Sequence, residues 1–272
     1  MVARLGVVVA AACLLLGAPA AAQGVLERAA ARGTLVAAAM PDTLPQSARD
    51  AEGRLVGFDI EVAAEIARRF GLDIAFVTPD WQEILAGGWA RRWDLAVVSM
   101  TPTAEREAVL DFPVVYRLSP ATLVVHNDNA TIREPADASG RTVGVKADTT
   151  YERYLDQDLS LSGEGRPLAY LVESPVVRVF PDNRAALAAL AEGDGARLDA
   201  VVTSLDQAQA AIDAGLPLKT VPGFLFFEPL AVAIDKGDPT FAAEVARVVD
   251  AMRSDGTLSR LSLTWFGLDL VE

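Results

Sequence analysis

From Gly53 onward the chain alternates short apolar runs with stretches of helical spacing, and this alternation narrows its fold more than any other feature. In GRLVGFDIEVAAEIARRFGLDIAFV an extended piece reaches Val56, after which Ile60, Ala63, Ala64, Ile66, Ala67 and Phe70 recur at helical spacing. Asp59 is placed to cap that helix and Gly71 to end it. A strand over 73–77 follows, then a helix over about 82–91 and a strand over 95–98; a first strand, 35–39, precedes them all. Strands joined by helices at this spacing pair in parallel, because a parallel pair needs a long crossover, so the chain is expected to be α/β with helices on the faces of largely parallel sheets.

The alternation restarts with GRTVGVKADTTYERYL, a strand and a helix. A less regular piece, 156–178, follows, then the helix NRAALAALAEGDG, the strand LDAVVTS, and a final amphipathic helix around FAAEVARVVDAMRSDG. Two long extended segments, 120–126 and 226–234, bracket the middle of the chain. Two strands crossing between two lobes would have this placement.

Residues 1–22 combine Arg4, an apolar run from Leu5 to Leu16, and Ala20-Ala21-Ala22 before Gln23, the layout of a cleaved secretory leader. The apolar run is shorter than the roughly 20 residues a membrane helix needs. The one cysteine, Cys13, lies inside the leader, and Ala10-Ala11-Ala12 is a poor lipobox, so an exported protein without disulfide or lipid anchor is expected. The formal charge of −13, with lysine only at 146, 219 and 236, argues against nucleic acid and anionic membrane as partners. A single histidine, His126, leaves no ligand set for a histidine–cysteine metal cluster, and its place at the end of LVVH reads as a strand terminus rather than a catalytic base. No cofactor, metal or catalytic residue is expected, and the chain is expected to be a monomer.

One stretch does carry chemistry. In DLAVVSMTPTAERE, residues 94–107, an apolar run ends in Ser99, Thr101, Thr103 and Arg106, so a buried strand emerges into polar side chains. Strand ends are where open α/β sheets bind ligands. Arg106 is therefore a candidate carboxylate clamp, its planar fork suiting a bidentate pair, against the plainer reading of a solvated arginine paired with Glu105 or Glu107.

Blocks 53–71, 94–116, 140–155, 198–204 and 231–267 together resemble the bacterial extracellular solute-binding proteins of the polar amino acid type; the second, with its T-x-T-x-x-R run followed by Asp111-Phe112, and the last are the most specific of the matches. The resemblance implies a periplasmic protein of two lobes joined by two crossover strands, which closes on an amino acid or related small carboxylate and delivers it to an inner-membrane ABC permease. Lobe 1 would be 24–119 plus 231–272, lobe 2 would be 125–226, and the crossovers 120–124 and 227–230. It also implies that Arg106 and Thr101 grip the ligand carboxylate, that Ser99 offers a backbone carbonyl to its amine, and that Trp81 forms an aromatic wall. Lys146, Thr149 and Thr150 would lie at the anion-favouring turn of lobe 2. Ser204 stands where the family commonly has an acidic residue for the ligand ammonium. Either Asp42, Asp148 or Asp206 then takes that part, or the ligand carries no α-amine, since a buried ammonium without a partner is costly. Two other readings belong to the same fold: an exported dehydratase or lyase resembling cyclohexadienyl dehydratase, with Glu173 or Asp148 as its acid or base, and a sensor or scaffold module without a ligand.

Overall fold

The computed structural model describes residues 23–161 and 168–271. The expected leader with Cys13 lies outside these residues, as do 162–167 of the irregular piece.

The chain enters through α1 (Val25–Arg32) and β1 (Thr34–Ala38), then forms a small antiparallel sheet of β2 (Asp42–Thr43), β3 (Ser47–Arg49) and β4 (Leu55–Val56). Next come α2 (Phe58–Arg69), β5 (Asp73–Val77), the single turn α3 (Trp81–Leu85), β6 (Leu95–Met100), the single turn α4 (Ala104–Glu107) and the long β7 (Leu110–His126). The following section holds β8 (Thr142–Lys146), α5 (Thr150–Leu155), β9 (Val176–Phe180), α6 (Asn183–Leu190), β10 (Ala200–Ser204), α7 (Leu205–Asp213) and β11 (Leu218–Thr220). The long β12 (Phe226–Asp235) leads back to α8 (Pro239–Ser254) and α9 (Thr257–Phe266).

The strands pair in the order β5-β1-β6-β12-β7-β10-β8-β9, with β11 on β7. β1 is parallel to β5 and β6, and β8 is parallel to β9 and β10, so each end of the sheet has the expected parallel pairing. Between them β7 and β12 run antiparallel to each other from Leu110–Asp235 to Ala121–Phe226. These two long strands belong to both halves, which makes the fold two-lobed with a double-stranded hinge. On the first half, Phe58, Val62 and Ile66 of α2 pack with Val245, Val249 and Met252 of α8, while Trp89 and Trp93 cover the other sheet face. The second half has its own pair of cores, one around Tyr154 and Val202, the other around Leu187 and Val201. Burial on both faces is what made the strands read as continuous apolar runs.

Two sequence expectations are corrected. The helix expected over 82–91 is one turn, because Gly87 and Gly88 take φ of 62° and 58° and Ala90 and Arg91 remain left-handed. A Cβ on Gly87 would lie 2.7 Å from the Val109 carbonyl oxygen. Asp59 does not cap α2; the N-cap is Gly57, and Asp59 is buried inside the first turn. The irregular piece gives way to β9, and its Leu159 and Val172 pack into the core of the second half.

Candidate functional site

The cleft lies between the two halves over the hinge. It holds about 630 Å³ of space including its open mouth. That is room for one small solute. Its walls bring together Trp81, Ser99, Thr101, Arg106, Lys146, Thr149, Thr150 and Ser204, eight of the nine residues selected from the sequence, and the ninth, Asp42, has a side chain outside the described positions.

Arg106 follows β6 by way of a turn that Thr103 caps by accepting from the Arg106 backbone N–H. Its guanidinium donates to the Thr101 carbonyl at 2.8 Å and, across the cleft, to the Asp148 carbonyl at 3.2 Å. No carboxylate is in ion-pair contact with it among the described residues, so the solvated-pair reading with Glu105 or Glu107 does not hold; Glu105 pairs with Arg153 instead. Burial pulls the Arg106 pKa down, and the nearby charge of Glu228 opposes that. The guanidinium carbon stands 5.4 Å from the centre of the Trp81 ring, and Lys146 Nζ stands 5.0 Å from the same ring. The Trp81 indole N–H donates to the Asp148 carbonyl.

Lys146, at the end of β8, has no hydrogen-bond acceptor or ion-pair partner among the described residues. Burial lowers its pKa, the charge of Arg106 lowers it further, and Asp182 and Asp148 act the other way. Thr149 caps α5 by accepting from the Glu152 N–H and donates to the Lys146 carbonyl. Ser204 caps α7 by accepting from the Gln207 N–H, so its hydroxyl has a structural task at the cleft wall.

Thr101 departs from expectation. Its hydroxyl donates to Glu228 Oε1 at 2.8 Å, and Thr150 donates to the same oxygen. Glu228 is only 4% exposed, on β12 opposite Ser119 of β7, at the hinge floor of the cleft. Burial raises its pKa, opposed by Thr150, the Tyr151 phenol, Thr101 and the charge of Arg106.

Ser99 also does more than expected. It sits at φ 51°, a left-handed conformation uncommon without glycine, and three partners hold it there. Its N–H donates to the Tyr116 oxygen, its hydroxyl donates to Asp59 Oδ2, and Arg117 donates to its Oγ. Tyr116 in turn donates to Asp59 Oδ1 at 2.9 Å. Arg117, fully buried on β7, reaches Asp206 Oδ2 at 3.1 Å and lies 4.6 Å from the Phe266 ring centre. Asp206 also accepts from Gln46, and Gln207 donates to Gln46 Oε1 and to the Leu44 carbonyl.

This network removes two of the expected ammonium partners. Asp206 is taken by Arg117 and Gln46, and Asp148 turns its carboxylate to Gln82 and its carbonyl to Arg106 and Trp81. Glu173, the other acid considered for catalysis, is exposed and outside the cleft, and His126 is buried at the far end of β7, its Nδ1 accepting from the Asp128 N–H. The sequence reading missed Arg117, Glu228, Gln46 and Tyr151. For Arg117 and Glu228 a signal existed: each is a lone charge inside a long apolar extended segment, where burial without a partner would be prohibitive.

Comparison with known proteins supports the same picture. Residues 35–268 match the family of bacterial extracellular solute-binding proteins, family 3. The L-cystine-binding protein TcyJ of Escherichia coli (strain K12) is 28% identical over 92% of this chain and 89% of its own. The L-arginine-binding protein of Pseudomonas aeruginosa is 28% identical over 83% of this chain and 85% of its own. Among solved structures, an ancestral amino acid-binding protein described as a precursor of cyclohexadienyl dehydratase superposes with a TM-score of 0.75 at 29% identity, over 90% of this chain and 100% of that one. The architecture, the cleft and the match over nearly the whole chain agree, and this chain belongs to the bacterial extracellular solute-binding proteins of family 3.

Proposed function

We propose that the protein is the periplasmic binding component of an ABC importer, and that it encloses an amino acid or related small carboxylate between its lobes. The observation that carries this reading is Arg106: a cation in the cleft wall, hydrogen-bonded only to carbonyl oxygens among the described residues, with an aromatic ring beside it. A carboxylate placed there gains charge-assisted hydrogen bonds in a partly dehydrated site, where they are strong. The relatives that bind cystine and arginine lend support to an amino acid as the solute. A thermal-shift panel of amino acids, dicarboxylates and keto acids tests the reading. At least one carboxylate should raise the melting temperature in a concentration-dependent way, and Arg106→Ala should abolish the rise. If every carboxylate leaves wild-type melting unchanged, the reading is wrong.

One observation favours a second reading, a dehydratase on the same scaffold: Glu228 is a buried acid at the cleft floor with a raised pKa, the property a general acid needs. Glu228, and not Glu173 or Asp148, would be its catalytic group. Incubation with prephenate or arogenate, followed by the ultraviolet absorbance of an aromatic product, separates the two readings.

A further inference from the structure

The charges facing the cleft are unequal in a way that selects among carboxylates. Two cations, Arg106 and Lys146, stand about 5 Å from the same Trp81 ring and hence no more than about 10 Å apart, short enough for one small molecule to bridge. Neither has a carboxylate in contact among the described residues. The acids that act on Lys146 do so without contact: Asp182 caps α6 by accepting from the Ala185 N–H, and the Asp148 carboxylate accepts from Gln82 and from neither cation.

The anions of the cleft are sorted differently. Asp206 is paired with Arg117 in a buried contact, and among the described residues Glu228 is the acid lining the floor that has no cation in contact. Thr101 and Thr150 both donate to its Oε1 and the Tyr151 phenol bonds the same carboxylate, whose two oxygens offer four acceptor positions and so keep one for a further donor. Thr101 links the two anchors directly, its carbonyl accepting from Arg106 and its hydroxyl donating to Glu228. The two charges are therefore neighbours, as the carboxylate and ammonium of an α-amino acid are. A ligand that matches two open cations and one open carboxylate carries two acid groups and one amine.

We propose, building on the amino-acid-binding reading above, that the solute is an acidic L-amino acid. Arg106 holds its α-carboxylate, Glu228 of the hinge strand holds its ammonium in place of a partner at the end of β10, and Lys146 holds its side-chain carboxylate against Trp81. Lys146 at the same time repels a cationic side chain, which disfavours an amino acid such as arginine.

Isothermal titration of the mature protein, freed of co-purified solute by unfolding and refolding, tests this with L-glutamate, L-aspartate, L-glutamine, L-arginine and glutarate. L-glutamate or L-aspartate should bind at least 100-fold more tightly than L-arginine and at least 10-fold more tightly than glutarate. Lys146→Met should shrink the preference for L-glutamate over L-glutamine by about 10-fold or more. Glu228→Gln, which keeps an acceptor for both threonine hydroxyls, should erase the preference for L-glutamate over glutarate; its far-ultraviolet circular dichroism shows that it has folded. An amino acid that binds through Arg106 with no preference for acidic side chains, or a preference that Lys146→Met and Glu228→Gln leave intact, overturns this inference and leaves the broader reading standing. Absence of any carboxylate ligand overturns both.

Discussion

Asp59 and Glu65 lie on the same helix, α2, and their surroundings drive them in opposite directions. Glu65 accepts from Arg68 and Arg69 at the surface, which holds its pKa down at about 2 despite slight burial. Asp59 is fully buried, and loss of water raises its pKa to about 6, even though Arg117, Ser99 and Tyr116 favour its charged form. For Asp59 the folded state therefore holds a proton more tightly than the unfolded chain, whose value is near 3.8. Its effect on stability is a cost that appears as pH rises from about 4 to about 6 and is fully present above that. A shift of this size corresponds to roughly 2–3 kcal/mol. Asp59→Asn mimics the protonated form, so its stability relative to wild type should improve by about 2 kcal/mol between pH 4 and pH 7. Urea unfolding at the two pH values checks this; a constant difference would show that Asp59 does not titrate in that window. The helical spacing made α2 legible, and Asp59 near its start looked like a cap. Its true partners come from β6 and β7, 40 and more positions along the chain, so no local pattern could have placed it in the cleft network.

At the scale of elements, the loop before α2 connects backbone geometry to the cleft. Gly57 takes φ 132°, and a Cβ there would lie 2.3 Å from the Gln46 carbonyl oxygen. That carbonyl accepts from the Asp59 N–H at 2.9 Å, so the glycine lets the turn carrying Gln46, just before β3, dock on the first turn of α2. Gln46 then reaches Asp206 and Gln207 of the other half. Gly57→Ala should cost about 2 kcal/mol or more, since both the space and the φ are wrong for a side chain. It should also weaken ligand binding, because Gln46 is pushed from its place. Denaturation and titration of the one variant read both effects, and unchanged affinity in a destabilised protein would show that Gln46 does not depend on this contact. Gly87-Gly88 and the Asn183 helix show how far single elements were readable. Both glycines were expected inside a helix, but their left-handed φ ends it, and Gly87 packs on Val109, the residue just before β7. The second helix begins at Asn183 as expected, with Asp182 as its cap, and ends at Leu190, short of the expected Gly195.

In the whole molecule, the two halves are joined over the cleft as well as through the hinge. Trp81, Gln82 and Arg106 donate to Asp148, Arg153 pairs with Glu105, and Gln207 donates to Gln46 and Leu44. This is a closed arrangement, and a ligand that touches both sides shifts the population toward it. The contacts are unequal. Arg153 and Glu105 are largely exposed, a setting in which ion pairs contribute little, whereas Gln207 lies in a partly buried cluster. Gln207→Ala should therefore weaken solute affinity by about 5–10-fold, and Arg153→Ala by less than about 3-fold. Titration of both variants tests the ranking, and small-angle scattering should show the radius of gyration of wild type falling when solute is added. A reversal of the ranking would place the latch on the outer rim. The amino-acid sequence by itself determined the α/β class and the two crossover segments, and it singled out Arg106 as a candidate carboxylate clamp. Those features are written in local periodicity and in the polar end of one strand. Only the tertiary structure decided which charges are already spent and which stay open to a solute. Arg117, Asp206, Glu228 and Lys146 come from distant parts of the chain, and a charge is paired or free according to what the folded backbone sets beside it.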